Sequence, residues 1–194
     1  MKFLPCELAI TALACMAAPF AAPQETALVE SVEYFDVDGL TASAIFSAMQ
    51  SKGPNISAGG AHALAATHAD YRHESEMAYR RDGRCATINL SVSLTLTYYI
   101  PRWTDEAEAS DAVRAWWHGL IDRIWIHERG HAQIARDGAR KLQEALLNVP
   151  PAANCDDLRS ELRRTMRDVL ARDIEPDQRQ FDQRNRVAVD ISAK

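Results

Sequence analysis

Residues 113–147 read VRAWWHGLIDRIWIHERGHAQIARDGARKLQEALL, and the period of this stretch decides the fold. Its apolar positions Val113, Trp117, Leu120, Ile124, Ile134, Gly138, Leu142 and Leu146 recur at steps of three, four or sums of these, the repeat of one face of an α-helix. The stretch predicts one long helix. Thr104 and Asp105 offer caps ahead of an acidic first turn, Pro150-Pro151 stops the helix beyond Leu147, and Gly119 is where it bends or divides. His127 and His131 fall on the same stripe, which aims both imidazoles at the protein interior.

His127-Glu128-Arg129-Gly130-His131 is an HExxH motif. A chain with this composition produces about 0.01 such matches by chance, so its place on a helix carries the weight. Imidazoles at i and i+4 project from one face and can reach a single Zn²⁺, while the intervening Glu128 is placed to take a proton from the attacking water and pass it to the leaving amine. Arg129 is unusual, since motifs of this kind carry uncharged residues there. It is expected at the edge of the buried face with its guanidinium in water.

The sequence near the motif gives no third ligand. Asp137 has the spacing of an extended HExxHxxGxxH/D motif, but Ile134 replaces the glycine at which that chain turns back, and on an unbroken helix Asp137 points away. His118 is also out of phase with His127. An acid or histidine from another element is required, and the candidates are Asp182, Asp173, Glu161 and His73.

Working outward, Ile88, Leu90, Val92, Leu94, Leu96 and Tyr98 alternate with Thr87, Asn89, Ser91, Ser93, Thr95 and Thr97, a strand with one greasy and one hydroxyl-rich face. The hydroxyl face reads as an ordinary solvated surface. Asp82-Gly83 is a hairpin turn, and residues 67–80 alternate as the preceding strand, with Ala69, Tyr71, Met77 and Tyr79 inward. Pro101 closes the sheet. Ala27–Val37 predicts a further strand, and 40–50 a short helix ended by Gly53-Pro54. After the motif helix, 156–174 places Leu158, Leu162, Met166 and Val169 on one stripe against it; Pro176 then kinks or interrupts the chain, and Phe181 anchors a last turn. The sum is an α+β domain: an antiparallel sheet with a short N-terminal helix, followed by the long HExxH helix and a C-terminal helix.

Residues 1–22 have the pattern of a signal peptide, Lys2 followed by a short apolar run and alanines, leaving residues 23–194 as one domain. Cleavage fits after Ala14 or a few residues later, and the run is too short for a membrane span. Cys15 faintly matches a lipoprotein box, with Ala12 where leucine is usual, so a lipid anchor is the lesser alternative to a freely exported chain. Cleavage beyond Cys15 leaves Cys85 and Cys155 as an even pair, which in an exported chain reads as one disulfide rather than as zinc ligands lacking any CxxC. The net charge of -5 argues against a nucleic-acid partner; a peptide or protein substrate fits the motif better.

This order of small landmarks resembles a bacterial family of formally unknown function, described as predicted secreted zinc-dependent proteases. The likeness rests on Tyr34 to Leu40 with the Thr41 helix, Gly53-Pro54, Thr67 opening a strand, the Asp82-Gly83 turn with Cys85, Pro101-Arg102-Trp103, the HExGH core, and Cys155 before the last helix. It implies a zincin-like peptidase acting outside the cytoplasm. The family's C-terminal pattern, Tyr-Asp-x-x-Thr-x-His-Gly, aligns with Phe181, Asp182, Gln183, Arg184, Asn185, Arg186, Val187 and Ala188, of which only the aspartate agrees. Holding that position makes Asp182 the leading third ligand. The lost histidine leaves a second reading, a non-catalytic metal-binding or scaffold protein of the cell envelope.

Overall fold

The computed structural model describes residues 26–55 and 62–193; the expected leader at 1–22 lies outside them. In chain order the elements are β1 (Ala27–Val37), α1 (Ala42–Lys52), β2 (Ala66–Tyr79), β3 (Cys85–Trp103), a 3₁₀ turn (Glu106–Glu108), α2 (Asp111–Leu147), α3 (Cys155–Val169), a π-helical turn (Leu170–Ile174) and α4 (Glu175–Arg184). This is an α+β domain in two layers. Leu90, Val92, Leu94, Leu96, Tyr98 and Ile100 of β3 are buried against Val113, Trp117, Leu120, Ile124, Ala132, Ala135, Ala139, Leu142 and Leu146 of α2. Tyr71 of β2 spans the two layers, its hydroxyl donating to the Ala135 carbonyl at 3.3 Å.

The sheet is mixed rather than antiparallel. Strand β3 lies between the other two, β2 antiparallel to it and β1 parallel, from Ala27 opposite Ser93 to Val37 opposite Trp103. Successive strands do reverse direction, but the connection carrying α1 takes the chain past the position of β3 to the far edge, so β1 neighbours the strand two places on. Alternation reports which face a residue occupies, not which strand it pairs with.

A bulge corrects the inward face as well. Glu76 pairs with Asn89 and Met77 with Thr87, so Ile88 is an extra residue in the ladder. One inserted residue shifts the β3 alternation by a step, and Ile88 turns outward at 65% exposed; Tyr79, the last residue of β2, is exposed too. At its other end β3 continues through Pro101 to Trp103. Strand β2 has ended opposite Tyr99, which leaves an open edge where proline is tolerated.

Helix α2 runs 37 residues without a break at Gly119, about 55 Å. It starts later than Thr104 and Asp105 suggest. The cap is Ser110, whose Oγ accepts from the Val113 N–H at 3.4 Å. Thr104 and Asp105 instead secure the end of β1: the Thr104 N–H donates to the Val37 carbonyl at 3.0 Å, and the Gly39 N–H donates to Asp105 Oδ2 at 2.8 Å.

A Cys85–Cys155 disulfide, Cα atoms 5.1 Å apart, ties the start of β3 to the start of α3, where Leu158 and Leu162 are buried. Pro176 does not interrupt the C-terminal chain. The Glu175 N–H bonds the Leu170 carbonyl five residues back, and this wider turn absorbs the proline that a regular α-helix would not hold at that point. Among the described residues no helix is long and apolar enough to cross a membrane.

Candidate metal centre

Glu128 is the motif residue that faces the sheet, 4% exposed, between Ile124 and Ala132 on the buried stripe. His127 and His131 flank that stripe rather than lying on it. Their side chains, 14% and 13% exposed, are covered by Phe181 and Asp182 of α4. The difference follows from the helical period: a residue next to the stripe is turned about 100° from it, toward whatever packs on the flank.

Thr67, near the start of β2, reaches the glutamate. Its Oγ1 donates to Glu128 Oε2 at 2.7 Å and lies 3.1 Å from the Glu128 carbonyl oxygen. Burial raises the Glu128 carboxyl above its ordinary value. The Thr67 hydrogen bond and the charges of His131 and His127 pull it down, and Asp182 adds to the rise.

Helix α4 approaches this flank because α2 presents two notches. A Cβ on Gly130 would lie 2.1 Å from Phe181 Cζ, and one on Gly138 would lie 2.6 Å from Ile174 Cδ1. Either methyl would occupy space already filled, so the two glycines set how close α4 can sit. The Phe181 ring contacts both imidazoles, its centroid 5.1 Å from that of His127 and 4.9 Å from that of His131. One residue on, Asp182 Oδ1 lies 3.2 Å from His127 Nε2 and 2.9 Å from His131 Nε2, and the two Nε2 atoms are 3.1 Å apart. Gln178 sits one turn back toward the N-terminus. Its Oε1 is 2.5 Å from His131 Nδ1 and its Nε2 donates to the His131 carbonyl at 3.0 Å.

His127, His131 and Asp182 form the metal-competent cluster among the described residues. Bonds of ~2.0–2.1 Å to a tetrahedral centre space the ligand atoms about 3.4 Å apart, so a triangle of 2.9–3.2 Å needs only slight opening to fit Zn²⁺. Two imidazoles and one carboxylate are also a donor set that zinc takes. His127 Nδ1 is buried with no partner, so its ring is not locked by a hydrogen bond on that side.

The other candidate ligands are elsewhere. Asp137 accepts from Gln133 Nε2 at 3.0 Å and also pairs with Arg140. Glu161 binds Arg164 on the outside of α3, and Asp173 is exposed in the π-helical turn. His73 sits on β2 opposite Val92, its pKa lowered by burial and by the charge of Arg163. His118 lies 3.0 Å from Glu106, well up the helix. Arg129 is exposed as expected, its guanidinium 5.3 Å from the Trp125 ring centroid.

A cleft of about 930 Å³ opens onto the cluster between the first half of β2 and α4. Leu64, Ala65, Ala69, Leu170 and Ile174 give it apolar walls, and His127, Glu128, His131 and Asp182 line one end. Val187, the residue at the family's histidine position, also lines it. No residue of the hydroxyl-rich face of β3 does. Sequence reasoning missed Thr67 and Gln178 as members of this site. The signal for Gln178 was present: Ile174, Gln178, Phe181 and Asp182 share one helical face at steps of four, three and one. Thr67 was marked only as a landmark of the family resemblance, at the head of a strand.

A family model described as "bacterial protein of unknown function (DUF922)" matches residues 32–188, and the chain belongs to that family. Comparison with curated proteins and with solved structures finds no match.

Proposed function

We propose that this DUF922 protein is an exported, zincin-like, zinc-dependent metallopeptidase. The observation that carries the reading is the convergence of His127 Nε2, His131 Nε2 and Asp182 Oδ1 within 3.2 Å of one another, next to the buried Glu128 carboxylate. His127, His131 and Asp182 would hold the ion, and Zn²⁺ when bound supplies Lewis-acid polarisation of the scissile carbonyl and of water. Glu128 takes the proton from the attacking water and returns it to the leaving amine. Thr67 holds the Glu128 carboxylate through Oε2. The apolar cleft walls receive substrate side chains. The disulfide supports an oxidising compartment.

The test is zinc content and cleavage of a peptide library by purified protein, wild type beside Glu128→Gln. Zinc near one per chain in both, with chelator-sensitive cleavage reduced on the order of 10²–10⁴-fold in the variant, is the expected result. Full activity in Glu128→Gln would refute the mechanism.

A second reading, a non-catalytic metal-binding or scaffold protein, is favoured by Asp182 being 57% exposed and by Val187 at the family's histidine position. Stoichiometric zinc without cleavage would select the metal-binding form, and absence of zinc the scaffold.

A further inference from the structure

We infer that Gln178 is the positioning residue that holds the His131 ring through its Nδ1–H and so presents its Nε2 to a metal. This role rests on the zinc-site reading of the cluster. The Gln178 amide could be placed with its oxygen and nitrogen exchanged, but its contacts allow one orientation. The atom 3.0 Å from the His131 carbonyl oxygen must be the NH₂ group, because a carbonyl can only accept. The other end of the amide is then Oε1, facing His131 Nδ1 at 2.5 Å. An amide oxygen also only accepts, so Nδ1 carries the proton. With Nδ1 held by Gln178, Nε2 is the ring nitrogen left for a metal, and it points at His127 Nε2 and Asp182 Oδ1.

The same two hydrogen bonds fix position as well as protonation. Gln178 binds the ring and the backbone of one residue, so it holds His131 by both ends of its side chain. His127 has no counterpart, since its Nδ1 is buried without a partner. His131 is therefore the preset ligand, and His127 settles when the ion arrives. The expected consequence of losing such an outer partner is a fall of on the order of 10–100-fold in metal affinity.

The experiment uses ¹⁵N-detected ring correlations on the metal-free protein at neutral pH, and zinc titration against a chromophoric chelator. Wild type should show His131 with a protonated Nδ1. Gln178→Leu should move His131 toward the Nε2-protonated form and weaken zinc binding on the order of 10–100-fold. Gln178→Glu keeps an acceptor at Nδ1 and should restore both the tautomer and, within a few-fold, the affinity. Circular dichroism on all three identifies any variant that fails to fold, and the wild-type spectrum decides the tautomer regardless. A His131 with no proton on Nδ1 in wild type, or unchanged Nδ1 protonation and affinity in folded Gln178→Leu, overturns the inference. Wild type that binds no zinc defeats the zinc-site reading instead, while the ring spectrum still reports on Gln178.

Discussion

Helix α2 brings His127, Glu128 and His131 to the cleft on 37 residues of which one face is sealed against the sheet, whereas α4 brings Gln178, Phe181 and Asp182 on ten residues of which none is buried. The first half of the site is part of the core. The second is held by shape, through the Gly130 and Gly138 notches, and by polar contacts to the histidines themselves. Stability and site assembly are thus separable: α2 should be rigid whether or not the site is complete, and α4 should depend on it.

The largest effect expected from this contrast is on the α2 side. Leu142 is fully buried, and Leu142→Ala should lower the free energy of unfolding by about 2–5 kcal/mol, read by denaturant titration. Residual zinc affinity in the folded fraction should be near wild type, since Leu142 is three turns from His131. A cost below 1 kcal/mol would mean that the α2–sheet interface is not where stability resides.

Next is the response to metal. Zinc at one hundred times its dissociation constant should stabilise the protein by about 2.7 kcal/mol. Hydrogen exchange should show the added protection concentrated in α4 and the π-helical turn, because α2 is already held by the sheet. Equal gains along both helices would remove the distinction between a core half and a docked half.

Much of the first half was legible in sequence, for a physical reason. A helix with one face in the core must repeat its apolar residues at 3.6, so α2, its stripe and the motif could be read from residues 113–147 alone. The hairpin was equally open, because β2 and β3 each bury one face. The parallel pairing of β1 was not, since Ala27–Val37 is exposed along nearly all its length and alternation there says nothing of its neighbour. Nor was the step in β3, where a single extra residue sends Ile88 outward against its pattern. For the site, Asp182 could be singled out only through the family's pattern. Helix α4 has no buried face to generate a period, and Pro176 suggested an interruption where the π-helical turn instead carries the chain onward.

Gly130→Ala tests the shape contact that joins the halves. The new methyl would meet Phe181 Cζ at 2.1 Å, and the ring cannot simply turn aside because it lies against both imidazoles. Either α4 backs away or the histidines shift. The cost to stability should be about 1–3 kcal/mol, with zinc affinity falling as well because Asp182 and Gln178 move with Phe181. Stability lost with zinc affinity intact would show that α4 can reseat without disturbing the ligands.

The smallest effect is expected at Arg129, the charged residue inside the motif. On a regular helix it lies roughly 160° round the axis from both His127 and His131, on the flank away from α4. There its guanidinium stacks over Trp125, whose ring contacts Tyr98 at 5.5 Å between centroids, so it is the outermost layer of a stack that begins in the sheet. An exposed cation–π contact of this kind contributes about 0.5–1 kcal/mol. Arg129→Ala should therefore cost no more than about 1 kcal/mol and leave zinc affinity and the His131 ring tautomer unchanged. The comparison with Gly130→Ala is then direct: adjacent motif positions, one facing α4 and one facing solvent, differ in whether the site notices the change. A tenfold loss of zinc affinity in Arg129→Ala would show that the far flank of α2 also positions the histidines, and the division of the site into two halves would have to be redrawn.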